Sequence, residues 1–383
     1  MKPYSSISRT ELESAFHAVE GAPLSGYLAG DMRGGKQVCA LEDAWSETFH
    51  VRHSIAVNSA TSGLLAAAFA VGLKPGYQFI VSPMTMSATA AAPMFTGATP
   101  IFRDVEDETF GIEPAPISGE IRAIFSTNLF GHAGRLGHAL MRTSTAPLFH
   151  VEDNAQSPFA RFENGKYTGT LGHIGVFSLN VHKHFQCGEG GMVVTDDDNL
   201  ADKIRAFINH GENVSDAIGL NLRMPEVCAA IGLSQLRAAK ILVARRIDQA
   251  EAILHAIGPI PGIRLPVTRQ GCTHVYYTIP FLMDLRVGTA DGDINALAFW
   301  RKNRKKFCDS LLSDGVPIVE GYVEPLYRLP AFKAHATCCW VAEELQDQRL
   351  FYFENCAWDL SPAEIKKTGD AFRRAAETMN APA

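Results

Sequence analysis

The sequence predicts an α/β protein: a mostly parallel sheet flanked by helices in a large N-terminal domain, with a smaller α+β C-terminal domain. Three observations predict it. From Ile55 to about Val194, apolar runs of strand length alternate with helical stretches, the pattern of strand–helix–strand crossovers. A long helical pattern then opens at Met224-Pro225-Glu226, with apolar residues recurring at Val227, Ile231, Leu233, Leu236, Ile241 and Leu242. Finally, 383 residues are many for one core, and Gly258-Pro-Ile-Pro-Gly262 is the clearest break after the long helix. The expected division is 1–245 for the N-terminal arm and large domain and 246–383 for the small domain.

The elements follow in order. Ile55-Ala-Val57 is a short strand that turns through Asn58-Ser-Ala-Thr-Ser-Gly63 into a helix, Leu64–Ala70. Small residues at a helix start leave backbone N–H groups free for a phosphate, and the helix dipole favours the anion. Ordinary capping by Ser59 or Thr61 is the alternative. Strands are expected at 79–82, 99–102, 121–125 and 148–151. The last runs into Glu152-Asp153-Asn154-Ala155-Gln156. A carboxylate at a strand's carboxyl end suits a polar ligand at the sheet edge; Asp153 could pair with a protonated pyridine nitrogen or simply cap a helix.

Next comes Gly175-Val-Phe-Ser-Leu-Asn-Val-His-Lys-His-Phe-Gln-Cys-Gly-Glu-Gly-Gly191, followed by a strand, Met192–Thr195. Lys183, fixed between a strand end and a glycine turn, is placed to form a Schiff base, and pyridoxal phosphate is the commonest carbonyl held in this way. Taken alone, the window reads rather as a hairpin whose turn needs glycines and whose lysine is solvated. The C-terminal part reads as strand (275–282), helix (294–312), strand (317–320) and a last helix opened by the capping box Ser361-Pro-Ala-Glu364.

Together these motifs resemble the DegT/DnrJ/EryC1/StrS family of sugar aminotransferases, fold type I of the pyridoxal phosphate enzymes. The resemblance runs from Leu24-Ser-Gly26 to about Gln235. It rests on Ser59-Ala60-Thr61-Ser62-Gly63, Pro83-Met-Thr-Met86, Glu152–Gln156, Phe177-Ser178 with Lys183 and Gly188–Gly191, and Gly219-Leu-Asn-Leu-Arg-Met224. The resemblance implies pyridoxal 5′-phosphate as cofactor. Lys183 would carry it as the internal aldimine and shuttle the proton. Asp153 would pair with the ring nitrogen and Gln156 with the ring hydroxyl. Ala60, Thr61 and Ser178 would hold the phosphate, and Met86 would cover the ring. Asn221 would reach the phosphate of a neighbouring subunit, making a homodimer with shared active sites. The implied reaction moves an amino group from glutamate or glutamine to a keto-sugar, nucleotide-linked or free, or to a keto-cyclitol. Sugar dehydration on the same fold and a non-enzymatic cofactor-binding regulator are the alternatives. Three positions depart from the family pattern: Met86 where an aromatic residue is usual, Asn128 where histidine is usual, and Ala60 where glycine is usual.

Composition bounds the rest. A net charge of −6 argues against nonspecific nucleic-acid binding. No signal-like segment opens the chain and no apolar run reaches membrane-spanning length, so a cytoplasmic protein with no membrane partner is expected. Eight scattered cysteines without metal-ligand spacing read as reduced thiols, with no metal site expected and Cys187 expected buried and inert. His182 and His184 could tune Lys183 or satisfy local backbone. Tyr276, Tyr277, Tyr322 and Tyr327 could line a sugar pocket or fill the core. The basic cluster Lys302, Arg304, Lys305 and Lys306 reads as a solvated helix face.

Overall fold

The computed structural model describes residues 1–21, 23–28, 32–113, 120–135, 148–211, 218–283 and 294–380. A short strand β1 (Lys2–Pro3) precedes helices α1 (Arg9–Glu20) and α2 (Lys36–Phe49). The crossover region then runs β2 (His53–Val57), α3 (Ala60–Ala70), β3 (Gln78–Val81), α4 (Ala88–Met94), β4 (Thr99–Phe102), β5 (Ile121–Thr127), β6 (Phe149–Asp153), β7 (Ile174–Ser178), β8 (Gly191–Thr195) and α5 (Asp198–Ile208). After α6 (Glu226–Ile257) come β9 (Ile263–Arg264), β10 (Ile279–Met283), α7 (Ile294–Ser313), β11 (Ile318–Glu320), α8 (Trp340–Glu344), β12 (Leu350–Phe353), β13 (Trp358–Asp359) and α9 (Pro362–Asn380).

Among the described residues, seven strands form one sheet in the order β2-β8-β7-β6-β5-β3-β4. The run from β7 through β4 is parallel, and only β8 pairs antiparallel with both neighbours. Parallel pairing sends the carboxyl ends of β3, β5, β6 and β7 to one edge, where α/β proteins bind ligands. Strand alternation sorts the core into two layers. Val176 and Val193 face the cluster that holds Leu64 and Ala67 of α3 and Ile204 of α5. Phe177, Met192 and Val194 face the other, with Trp45 and Phe49 of α2 and Leu233 and Leu236 of α6. Gly63 makes the first layer possible: a Cβ there would stand 2.9 Å from Val193 and 3.0 Å from Val176.

Helix α6 links the two halves. Ala229, Leu233, Leu236 and Val243 belong to the second layer, and Ala250, Ile253 and Ile257 to the C-terminal core. By length and a mean hydropathy of 1.5 this helix is apolar enough to cross a membrane, which corrects the expectation that no segment is. Its apolar surface is taken up instead by α1, α2 and α9, which pack along it. Pro225 sits at the N-cap with extended ψ of 146°, one residue before the helix rather than in its first turn.

The C-terminal region carries the antiparallel sheet β11-β12-β10-β9. Its expected first strand, 275–282, begins four residues late. Val275 N donates to Gly131 O and Thr278 N to Phe130 O, and Tyr276 takes a positive φ of 48°. That segment is therefore bonded to the large domain's Phe130-Gly131 turn and leaves the sheet to 279–283. The Ser361/Glu364 capping box opens α9 as expected.

Candidate active site

The carboxyl edge of the large sheet borders a cleft of about 400 Å³. Ala60, Thr61, Met86, Asp153, Gln156, Ser178 and Lys183 all line it, joined by Asn180, His182, Glu189, Tyr277 and Tyr322. Seven of the eight residues expected from sequence are thus brought together. Asn221 is not among the lining residues; it is exposed, on a segment bridged to Asn209 beside β2.

Asp153 ends β6, buried to 5% exposure. No helix follows it, so it is not a cap. Its Oδ2 accepts from Thr89 Oγ1 at 2.7 Å, and its Oδ1 accepts from Ala155 N at 3.1 Å. Burial pushes its pKa up, against the Thr89 and Ala155 bonds and the Lys183 charge. Glu152, its neighbour, points to the opposite side and has a different task. It accepts from Gly169 N, Leu171 N, Gly172 N and Asn128 Nδ2. Asn128 also takes Gly134 N on its Oδ1. The residue that departs from the family's histidine thus braces the loop beneath Asp153.

Lys183 lies in the connection from β7 to β8, and that connection is not a simple hairpin turn. Leu179 N bonds Gly190 O and Cys187 N bonds Leu179 O, closing its base. Tyr4 Oη donates to His184 O, His184 Nε2 to Val275 O, and Gln186 N to Gln235 Oε1. Three distant segments therefore fix the lysine, which is 9% exposed, with Nζ 4.6 Å from the Tyr277 ring centroid. Burial lowers its pKa, while Asp153 and the Cys356 thiol oppose the shift, so the amine gives up its proton more readily than a solvated lysine. The solvated-lysine alternative does not survive this geometry. His184 satisfies backbone, though of a distant segment, Val275 O, and is held neutral by burial, its pKa down to about 4. His182 is exposed at the rim.

Helix α3 opens directly onto the cleft. Ser59 caps it, accepting from Ser62 N at 3.1 Å. Ala60 is its first residue and has no positive φ, so alanine stands without strain where glycine is usual. Gly191 lets β8 approach: a Cβ there would lie 2.6 Å from Ala60 N. Capping and an open N-terminus coexist here.

Gln156 Oε1 accepts from Phe130 N at 2.8 Å, and its Nε2 donates to Tyr322 Oη at 2.7 Å. One amide proton remains for a ligand. Tyr277 and Tyr322 line the cleft, whereas Tyr276 and Tyr327 are buried in the core clusters. In the basic cluster Arg304 is not a solvated residue; it turns inward to Gln346 O and Leu350 O. Cys187 is buried and its thiol pushed well above its ordinary pKa. Among the described residues no group of His, Cys, Asp and Glu is arranged to hold a metal ion.

Comparisons with known proteins bear on the family and the fold. The chain is 33% identical over 257 residues to GDP-perosamine synthase of Escherichia coli O157:H7, covering 65% of this chain and 70% of that one. It is 30% identical to the UDP-N-acetyl-3-dehydro-alpha-D-glucosamine 3-aminotransferase of Acidithiobacillus ferrooxidans, over 78% of this chain and 84% of the relative. The solved aminotransferase from Psychrobacter cryohalolentis superposes with a TM-score of 0.83 over 99% of this chain and 100% of that one, at 23% identity. A family model matches residues 27–351, and the chain accordingly belongs to the DegT/DnrJ/EryC1/StrS aminotransferase family.

Proposed function

We propose that the cleft binds pyridoxal 5′-phosphate and moves an amino group from glutamate or glutamine to the ketone of a sugar. The observation that carries this reading is one cleft holding a buried amine, Lys183, a buried carboxylate, Asp153, and an open helix N-terminus at Ala60. That donor set fits the cofactor: an amine for its carbonyl, an anion for its protonated ring nitrogen, and backbone N–H groups for its phosphate. When bound, the cofactor supplies a carbonyl that takes up nitrogen and a ring that accepts the electron pair of a broken C–H bond.

The chain's own residues do the rest. Lys183 Nζ, whose hold on a proton burial weakens, takes a proton and returns it. Asp153 holds the ring in place and favours its protonated form. Gln156 offers its remaining amide proton to the ring hydroxyl. The N–H groups of Ala60 and Thr61 and the hydroxyls of Thr61 and Ser178 serve the phosphate. Met86, exposed at the rim, covers the ring through its thioether. The sugar ketone follows from the relatives, one named for making GDP-perosamine and one for aminating a UDP-linked 3-keto sugar.

The working unit in this reading is a homodimer, with Asn221 reaching the partner's phosphate site. Its support is that Asn221 is exposed between Ile218 and Arg223, with the apolar Ile218 and Leu220 also exposed. The division at 245/246 and a cytoplasmic setting belong to the same proposal. A half-reaction screen tests the whole. Glutamate or glutamine should convert the cofactor's visible band, and a keto-sugar should restore it. A protein whose band responds to no amino acid would refute it.

A further inference from the structure

Three threonines from separate segments join onto Asp153, two of them, Thr85 and Thr127, at the wall of the cleft. Thr85 lies in the turn after β3, Thr89 in the first turn of α4 and Thr127 at the end of β5. All three are buried. Thr89 Oγ1 lies 2.7 Å from Asp153 Oδ2, Thr85 Oγ1 lies 3.0 Å from Thr89 Oγ1, and Thr127 Oγ1 lies 2.8 Å from Thr85 Oγ1. A hydroxyl has one proton to give, and an ionised carboxylate has none. With Asp153 ionised, the Thr89 proton goes to it. Thr89 must then accept from Thr85, and Thr85, its proton committed, must accept from Thr127. For the ionised carboxylate the order has one direction and ends on Asp153.

We propose that Thr127, Thr85 and Thr89 form a one-way hydroxyl chain that keeps Asp153 ionised and in one orientation, with Thr89 as the positioning residue. Burial works against charge on Asp153, and the Thr89 bond works against burial. Aligned hydroxyls polarise one another, so each link strengthens the next. A bond to an ionised acceptor is the strong one, which makes the first link matter most. Threonine's branched Cβ restricts χ1 and keeps each hydroxyl aimed. The other ionisable groups that face the carboxylate are Lys183 and Tyr322. The effect on turnover, though not the effect on Asp153 itself, rests on the proposed role of Asp153 toward the cofactor.

The test uses Thr89→Val, which keeps the shape and loses the hydroxyl, Thr89→Ser, which keeps the hydroxyl, and Thr85→Val, one link further back. The first readout is a carbon-13 NMR titration of cofactor-free protein labelled at the aspartate carboxyl carbons. The Asp153 resonance is assigned by its loss in Asp153→Asn. Thr89→Val should raise the Asp153 midpoint by about one pH unit, the scale of one lost hydrogen bond to the charged form. Thr85→Val should raise it by less, and Thr89→Ser should restore it. The second readout is turnover: Thr89→Val should lower kcat by about tenfold to a hundredfold, with KM for the acceptor unchanged. An unmoved midpoint in folded Thr89→Val overturns the proposal. Should that variant not fold, an unmoved midpoint in Thr85→Val overturns the chain. A moved midpoint alongside an Asp153→Asn variant of undiminished turnover would leave the hydroxyl chain standing and remove the cofactor role of Asp153.

Discussion

On the floor of the cleft, Asp153, Gln156 and Lys183 are buried and already held by this chain's own groups. On the rim Thr61 and Met86 are exposed, as is Asn221 on its segment outside the cleft, and the Thr61 and Asn221 side chains make no hydrogen bond among the described residues. The two regions come from the same motifs yet are finished differently. The floor is preorganised: its charges and dipoles are set before any ligand arrives, the arrangement that costs no reorganisation during reaction. In the proposed reading, the exposed groups are completed by what one chain does not supply, a phosphate and a second subunit.

Mutations should separate the two. The largest effect is expected for Lys183→Ala on the floor: loss of transamination by about a thousandfold or more, with the thermal midpoint little changed. Undiminished turnover in that variant would erase the distinction. Asp153→Asn keeps the shape of the site and removes the charge, so turnover should fall by about a hundredfold; a rate near wild type would make Asp153 a purely structural acceptor.

The rim should respond through affinity instead. If Asn221 reaches the partner's phosphate as proposed, Asn221→Ala removes a charge-assisted bond worth roughly 1.5–3 kcal/mol, seen as weaker cofactor retention with normal chemistry at saturation. Mixing Lys183→Ala with Asn221→Ala at limiting cofactor sharpens this. In a hybrid dimer one site carries both lesions and the other neither, so subunit exchange should restore activity. Confirmed exchange without recovery would put Asn221 to work inside its own subunit.

The last effect concerns pH and bears on stability. His184, in the wall beside Lys183, is neutral when folded, with its pKa lowered from 6.5 to about 4. As pH falls below 6.5 the unfolded chain binds a proton that the folded chain refuses. Stability therefore drops from about pH 6.5 to about pH 4, by roughly 3 kcal/mol from this group. His184→Asn should flatten part of that slope in thermal melts; an unchanged slope would mean that His184 is protonated in the fold.

What was legible in the sequence was local. Asp153 announces itself as an acid closing an apolar run, and Lys183 as a single lysine ahead of Gly188-Glu-Gly-Gly191. The strands that carry them follow the same alternation. What was not legible depends on partners far along the chain. His184 meets Val275, Gln156 meets Tyr322, and Asp153 meets Thr89; no period or spacing links such pairs. Strand β12, Leu-Phe-Tyr-Phe, is a short apolar run whose pairing with β10 sets its identity. The start of β10 failed for the same reason: the Phe130-Gly131 turn claims residues 275–278.

Borohydride reduction of the cofactor-loaded protein, followed by peptide mapping, tests the central claim most directly. Reduction makes a lysine–cofactor bond permanent and marks the residue that held it. The account predicts one labelled peptide, with the label on Lys183. A label on another lysine, or none, would contradict it.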